Sequence, residues 1–234
     1  MRYLYLHGLA SGPDSAKAKY LRDRFRSLGL SLEQPDFNQP DFASLTLTRQ
    51  IHQVEALLAT PPEAALDQPP EPVTLIGSSF GGLTAAWVAQ RQPQVQQLIL
   101  LAPAFNFLPA WLAAVGRTQA QAWRETGQIP TYHYGYRRME ALNYTIVEDM
   151  QQYDDLRLTR SLPTLILHGL QDGVIPIEAS RSYAMARPWA ALIELDSDHS
   201  LGNVVSRIWQ EIQRVCPLEK AGAGITDDNI AQTT

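Results

Sequence analysis

The sequence is poor in cysteine and contains no block of like charge. Cys216 is the single cysteine in 234 residues, so no internal disulfide can form. Lys and Arg total 19 against 24 Asp and Glu, a formal net charge of −5 without a basic stripe. These features fit a reducing cytoplasm and argue against a nucleic-acid partner. No spacing of metal ligands stands out, so we expect no metal and no other cofactor.

Long hydrophobic runs are also scarce. The uncharged stretch 98–116 approaches the length of a membrane span, but Pro103, Asn106 and Pro109 divide it. We therefore expect a buried strand followed by a short helix and no membrane span. The apolar run Tyr3 to Leu6 is too short for a secretory signal, which again predicts a cytoplasmic protein.

The chain alternates between apolar strand patterns and helical patterns, which predicts an α/β fold with a mostly parallel sheet and helices on both faces. We expect about six strands, near 2–7, 31–35, 73–78, 95–101, 163–168 and 190–195. The predicted domain covers 1–216, with a small helical lid inserted at about 104–160. Residues 217–234 have few large apolar side chains, and we expect a mobile tail.

The run 77–81, GSSFG, contains the best candidate for a nucleophile. An apolar strand pattern precedes it and a helical stretch of small residues follows it. G-x-S-x-G in this context predicts a sharp strand-to-helix turn on which the serine hydroxyl projects above the sheet edge. Glycines at both ends of the motif let the strand and helix approach closely. We predict that Ser79 is the nucleophile.

A serine nucleophile needs a base that takes its proton. The chain has five histidines, and two of them, His168 and His199, follow the serine near the end of a predicted strand. His168 is still within its strand terminus, so we expect a structural role for it. His199 lies in a loop after a strand, at the edge where ligands of open α/β sheets bind. We predict that His199 is the general base.

The base in turn needs a carboxylate that orients it. Asp172 lies in the loop between the strand pattern 163–168 and a proline that opens a helix. The order serine, aspartate, histidine along the chain is the order expected for a strand-to-helix serine turn. We predict Asp172 as the acid and keep Asp154 and Asp155, in a polar stretch of the insertion, as alternatives.

Two backbone N–H groups should stabilise the oxyanion that forms when the serine attacks, and each such donor contributes roughly 3 kcal/mol. One is expected from the residue after the nucleophile, Phe80. The other should come from the loop after the first strand, where His7-Gly8 precedes small residues. We predict Leu9 as this second donor.

Four motifs resemble the functional loops of the α/β-hydrolase superfamily of serine hydrolases: HGLASG, GSSFGG, HGLQDGVIP and DSDHSL. The resemblance covers about 1–103 and 163–216. A narrower resemblance, to small bacterial serine esterases of the YqiA type, rests on His7-Gly8, Ser11, Pro13, Ser15 and Lys17. The antiparallel strands that precede the oxyanion strand in larger members are missing. The resemblance therefore implies a minimal sheet and argues against a large lipase.

The insertion lies where this superfamily commonly places a lid. Seven of the chain's 20 aromatic residues fall between positions 105 and 136. We expect part of this set to form an apolar substrate pocket for an acyl or aryl group, namely Phe105, Phe107, Trp111 and Trp123. The alternative is that these rings only anchor the lid to the core.

Taken together, these residues predict a serine hydrolase of the carboxylesterase class. It would cleave small or medium acyl or aryl esters through an acyl-enzyme, with a small-molecule ester as its partner. Two alternatives remain: an acyl-thioester hydrolase with the same triad, and a non-catalytic ligand receptor on the same fold.

Overall fold

A computed structural model describes residues 1–59 and 71–218. In chain order its strands are β1 (Arg2–Leu6), β2 (Val73–Ser78), β3 (Val95–Leu101), β4 (Gln128–His133), β5 (Arg138–Asn143), β6 (Thr164–Gly169) and β7 (Ala190–Leu195). Its α-helices are α1 (Ala16–Ser27), α2 (Leu47–Ala59), α3 (Phe80–Arg91), α4 (Phe107–Val115), α5 (Arg117–Thr126), α6 (Thr145–Met150), α7 (Ile177–Met185) and α8 (Val205–Val215). Short 3₁₀ turns cover Asp155–Arg157 and Gly202–Val204.

The core of the protein is a five-stranded sheet in the order β1-β2-β3-β6-β7, and all of its neighbouring strands are parallel. Its two faces have separate hydrophobic cores, because side chains alternate along each strand. From β1, Leu4 and Leu6 pack with α2 and α3, whereas Tyr3 and Tyr5 pack with α1 and α8. Helices on both faces of a parallel sheet confirm the predicted α/β fold.

The predicted strand near 31–35 is reduced to one isolated bridge between Leu4 and Glu33. The N–H of Tyr5 donates to the Glu33 carbonyl at 2.8 Å, and the N–H of Glu33 donates to the Tyr3 carbonyl at 2.9 Å. Pro35 follows two residues later and has no N–H, so the pairing cannot extend. The sheet therefore has five strands instead of about six.

The insertion between β3 and β6 contains α4, α5 and α6, and it also contains the antiparallel hairpin β4–β5. The sequence analysis predicted only helices here. Burial alternates along β4, with Ile129 and His133 buried and Tyr132 exposed, which is the period of a strand. Pro130 is tolerated because β4 pairs on one side only.

Two further expectations concern the tail and membrane spans, and the single cysteine can also be located. Beyond Leu218, the predicted tail 217–234 lies outside the described residues. Within 1–59 and 71–218, none of the helices is long and apolar enough to cross a membrane. The Cys216 thiol is buried, and this burial raises its pKa to about 12, so it stays protonated at neutral pH.

Candidate active site

Ser79 lies on the turn between β2 and α3 in a backbone conformation that side chains rarely adopt. Its φ is 56° and its ψ is −119°. The N–H of Ser79 donates to the Leu101 carbonyl at 2.8 Å, which fixes the turn to the neighbouring strand. A Cβ on Gly77 would collide with the backbone of Gly81, and one on Gly81 would collide with the carbonyl oxygen of Leu6. Only glycine therefore permits this packing, and strain of about 1–3 kcal/mol is retained at the serine.

Ser79, His199 and Asp172 form a continuous hydrogen-bonded chain. The Oγ of Ser79 is 3.0 Å from Nε2 of His199, and Nδ1 of His199 is 2.7 Å from Oδ2 of Asp172. A carboxylate accepts only, so Nδ1 of His199 carries the proton and Nε2 is free to accept from the serine hydroxyl. All three side chains follow strands of the parallel sheet, and the structure brings them together at its carboxyl edge.

Hydrogen bonds fix the carboxylate of Asp172 on both of its oxygens. Its Oδ1 accepts from the N–H groups of Val174 and Ile175, each at 2.8 Å, and its side chain is fully buried. Burial alone would raise the pKa of this carboxyl. The hydrogen bonds from His168, His199 and the Ile175 N–H outweigh burial and hold the pKa of Asp172 well below its usual range.

The alternative acids lie elsewhere. Asp154 accepts from the N–H of Leu156 at 3.0 Å, and Asp155 accepts from the N–H of Asn106 at 2.7 Å. Neither carboxylate contacts His199 among the contacts of the described residues. Burial raises the pKa of Asp155, whose hydrogen bond joins the two ends of the insertion.

The loop after β1 passes directly beside the nucleophile. A Cβ on Gly8 would lie 3.2 Å from the Cβ of Ser79. The carbonyl of Gly8 accepts from Nδ1 of His7 at 2.9 Å, so the N–H of Leu9, on the same planar peptide, points the opposite way. Within 1–59 and 71–218, the N–H groups of Leu9 and Phe80 have no hydrogen-bond partner. Both predicted oxyanion donors are thus unpaired.

Polar side chains outside the triad hold this loop in place, and the sequence analysis did not find them. The side chain of Asn38 donates to the Ser11 carbonyl at 2.8 Å and is 3.0 Å from Nε2 of His133. Nε2 of His7 accepts from the N–H of Phe37 at 3.0 Å. The signal for His7 was its place at a strand end before glycine, in the tripeptide Leu-His-Gly, which recurs at His168.

A cavity of about 660 Å³ lies between the insertion, α3 and α7. Phe105 and Phe107 line it, whereas Trp111 and Trp123 do not. Trp123 is instead buried inside the insertion, where its indole N–H donates to the Leu142 carbonyl at 3.0 Å. Trp111 stacks on Phe107, with ring centroids 5.0 Å apart. The four aromatic residues therefore do not share one surface.

The cavity lies next to the triad but is not lined by it. Its lining includes Ile175, whose N–H holds Asp172, and Leu83, one helical turn after Ser79.

A parallel sheet with a serine on a strained strand-to-helix turn is the α/β-hydrolase fold. The chain belongs to the family described as "Uncharacterised protein family (UPF0227)", whose sequence model matches residues 2–216. No curated protein matches the sequence.

Solved structures with this fold match almost the whole chain. Alpha/beta hydrolase domain-containing protein 10 from mouse is 21% identical with a TM-score of 0.70, over 92% of this chain and 90% of that one. Est1E from Butyrivibrio proteoclasticus is 18% identical with a TM-score of 0.69, over 90% and 86%. The α/β hydrolase GrgF from Penicillium sp. sh18 is 13% identical with a TM-score of 0.66, over 91% and 88%. At these identities the likeness establishes the fold alone.

Proposed function

We propose that this protein is a serine hydrolase that cleaves carboxylic esters through an acyl-enzyme intermediate. The observation that supports this most is the chain of contacts from Ser79 Oγ to His199 Nε2, at 3.0 Å, and from His199 Nδ1 to Asp172, at 2.7 Å. Distances of this size allow direct proton transfer from the hydroxyl to the imidazole. The strained turn presents the hydroxyl where a substrate can reach it.

The first half of the reaction forms the acyl-enzyme. Ser79 Oγ attacks the ester carbonyl as His199 Nε2 takes the hydroxyl proton, and the carbonyl π electrons move onto oxygen. Asp172 stabilises the imidazolium that results. The tetrahedral intermediate then collapses, the bond to the alkoxy group breaks, and His199 gives its proton to the departing alcohol.

The second half uses the same groups with water as the nucleophile. His199 takes a proton from water, the hydroxide oxygen attacks the acyl carbon, and the bond to Ser79 Oγ breaks as His199 returns the proton to it. The unpaired N–H groups of Leu9 and Phe80 are the donors for the oxyanion in both halves. They belong to fixed backbone, so their alignment requires little reorganisation during the reaction.

The cavity near the triad supports the proposed substrate class. Its volume of about 660 Å³ suits a small or medium acyl or aryl group, and Phe105 and Phe107 supply an apolar wall. Est1E, one of the neighbours by fold, has been solved with ferulic acid bound. An aryl carboxylic group is therefore included in the substrate panel below.

The test combines an active-site probe with a substrate panel. A fluorophosphonate should label the wild-type protein on Ser79, as located by peptide mass spectrometry, and should not label Ser79→Ala. Ser78→Ala, the adjacent serine, is the matched control and should still react. Label found on Ser78 or Ser11 would contradict the assignment of the nucleophile.

The panel pairs acetyl, longer acyl and aryl esters with thioesters of the same acids. Faster turnover of esters supports the proposal. A preference for thioesters would change the leaving group but not the triad. Binding of the acids without any turnover or labelling would favour a receptor on this fold.

A further inference from the structure

His168 is completely buried and touches the candidate catalytic acid. Its ring lies between the end of β6 and α7. Nε2 is 3.1 Å from Oδ2 of Asp172 and 3.0 Å from the carbonyl of Ile175, and Nδ1 is 2.8 Å from Oγ of Ser180. Every polar atom of the ring therefore has a partner, and one partner is the oxygen that His199 also contacts.

The partners determine where the His168 ring carries its proton. A backbone carbonyl and an ionised carboxylate only accept, so the hydrogen lies on Nε2. Nδ1 then has a free lone pair, and the Ser180 hydroxyl donates to it.

Asp172 consequently has four polar contacts, two on each oxygen, and the single hydrogen on Nε2 of His168 lies between Oδ2 and the Ile175 carbonyl. Val174 and Ile175 supply backbone N–H groups to Oδ1, while His168 and His199 share Oδ2. A carboxylate has about four acceptor positions, and these contacts engage both oxygens, so rotation of the group would break at least one of them. The donor from His168 also draws negative charge away from the bond between Asp172 and His199.

We propose that His168 and Ser180 together position Asp172 and limit the basicity of His199, so that His168 is a positioning residue of the triad. The proposal rests on the proposed hydrolase function. Ser180 acts at the far side of the ring by fixing the tautomer. Without its hydroxyl, the alternative tautomer would turn a lone pair of Nε2 toward two acceptors. Ser180 lies on α7, is fully buried, and makes no hydrogen bond to Ser79 or His199 within residues 1–59 and 71–218.

The experiment is the pH dependence of kcat/KM for an activated aryl acetate between about pH 5 and 8. Four proteins are compared with wild type: His168→Leu, His168→Gln, Ser180→Ala and Ser27→Ala. Glutamine can place an amide N–H where Nε2 lies now, whereas leucine fills the volume without a donor. Ser27→Ala is the matched control, because Ser27 also donates within a helix but lies at the exposed end of α1.

Other charged groups near the pair must be considered when the profile is interpreted. Lys17 from α1 and Asp198 from the loop of His199 both act on Asp172 through space, and Glu194 of β7 acts on His168 while paired with Arg181. Burial lowers the pKa of Lys17 to about 8, so its titration falls on the alkaline side and does not disturb the acid limb. None of these groups changes in the four variants.

The expected result for His168→Leu is a fall in kcat/KM of about tenfold to a hundredfold, the usual effect of losing a hydrogen bond to a charged group. Its acid limb should also move to higher pH, since a less neutralised Asp172 holds a proton on His199 more tightly. Ser180→Ala should move the limb in the same direction by less. His168→Gln should restore most of the activity and the position of the limb. Ser27→Ala should match wild type.

Two outcomes would overturn the proposal. One is a loss of activity or melting temperature in His168→Leu with the acid limb unmoved, as expected if His168 only supports the fold. The other is a wild-type profile for Ser180→Ala together with no rescue by His168→Gln. If His168→Leu does not fold, the pH profiles of Ser180→Ala and His168→Gln decide between the two explanations. Absence of fluorophosphonate labelling in the wild type would instead reject the proposed function, and this inference with it.

Discussion

Replacing Asp172 by asparagine tests the triad with the least change in shape. The new side chain can keep an oxygen at Oδ1, where the N–H groups of Val174 and Ile175 each donate at 2.8 Å. Its NH₂ group then occupies the place of Oδ2, 2.7 Å from Nδ1 of His199. An NH₂ group donates, so His199 must accept at Nδ1 and carry its proton on Nε2, facing the serine.

That tautomer cannot take the hydroxyl proton, so the base is present but unusable. In a triad of this kind the wrong tautomer lowers kcat by on the order of 10⁴-fold, about 5 kcal/mol of transition-state stabilisation. The assay is the initial rate with an activated aryl acetate, together with the rate of fluorophosphonate labelling, which should fall in parallel. Asp41→Asn, at an exposed carboxylate that accepts from the N–H of Ser44, is the matched control.

The same substitution at the alternative acids, Asp154 and Asp155, gives the result that would refute this assignment. If Asp172→Asn kept full activity while Asp154→Asn or Asp155→Asn lost it, the acid would lie in the insertion and the assignment would be wrong. Acid stability provides a second check. The pKa of Asp172 is held below its unfolded value of about 3.9, so its stabilising contribution is present above that pH and disappears as the pH falls through the folded-state pKa. Thermal unfolding of Asp172→Asn should therefore depend less on acid than that of wild type.

Three further sets of variants should have separable effects. His199→Ala should lower kcat about as much as Ser79→Ala, and the double variant should lose little more, because the residues act as a unit in steady-state kinetics. Gly81→Ala should cost roughly 3 kcal/mol or more in denaturant unfolding, since the Cβ collides with backbone of β1, whereas Gly173→Ala, with no atom within 4 Å, should be nearly neutral. Phe107→Ala should change the ratio of kcat/KM between longer acyl esters and acetate by about tenfold or more, while Trp123→Ala should mainly lower stability by about 3–5 kcal/mol. If the ratio of kcat/KM between longer acyl esters and acetate were unchanged in Phe107→Ala, the cavity would not bind the acyl group.

The elements that local sequence determines were predictable. The strands of the sheet are apolar runs bounded by turn residues. The glycines around Ser79 indicate from the sequence alone that strand and helix pack closely at this turn. The order of Asp172 and His199 at successive strand ends placed them at one edge because parallel strands end together. The structure confirms the fold and brings these three side chains within hydrogen-bonding distance.

The elements that depend on distances across the chain were not predictable. The local sequence around His168 would be the same whether its ring only packed in the core or also contacted Asp172. The contact depends on the turn through Ile175, which brings Asp172 back to the ring. Trp111 and Trp123 were grouped with Phe107 by composition, but the helices of the insertion turn Trp123 inward. The strand pattern 31–35 ends after one bridge because Pro35 cannot donate.

The two Leu-His-Gly segments each place a buried histidine beside a group of the candidate site. His7 directly follows β1 and fixes the peptide that contains the Leu9 N–H, and His168 lies near the end of β6 and contacts Asp172. Both rings are buried and bonded on both nitrogens, so neither can turn without breaking a bond. Because the side chains of Phe105 and Phe107 make none of these hydrogen bonds, substitutions at either residue should alter which substrates react and leave the acid limb of the pH profile unmoved. A shift of that limb in a cavity variant would mean that the insertion also sets the charge at the triad, and the division between a fixed catalytic edge and a selective cavity would fail.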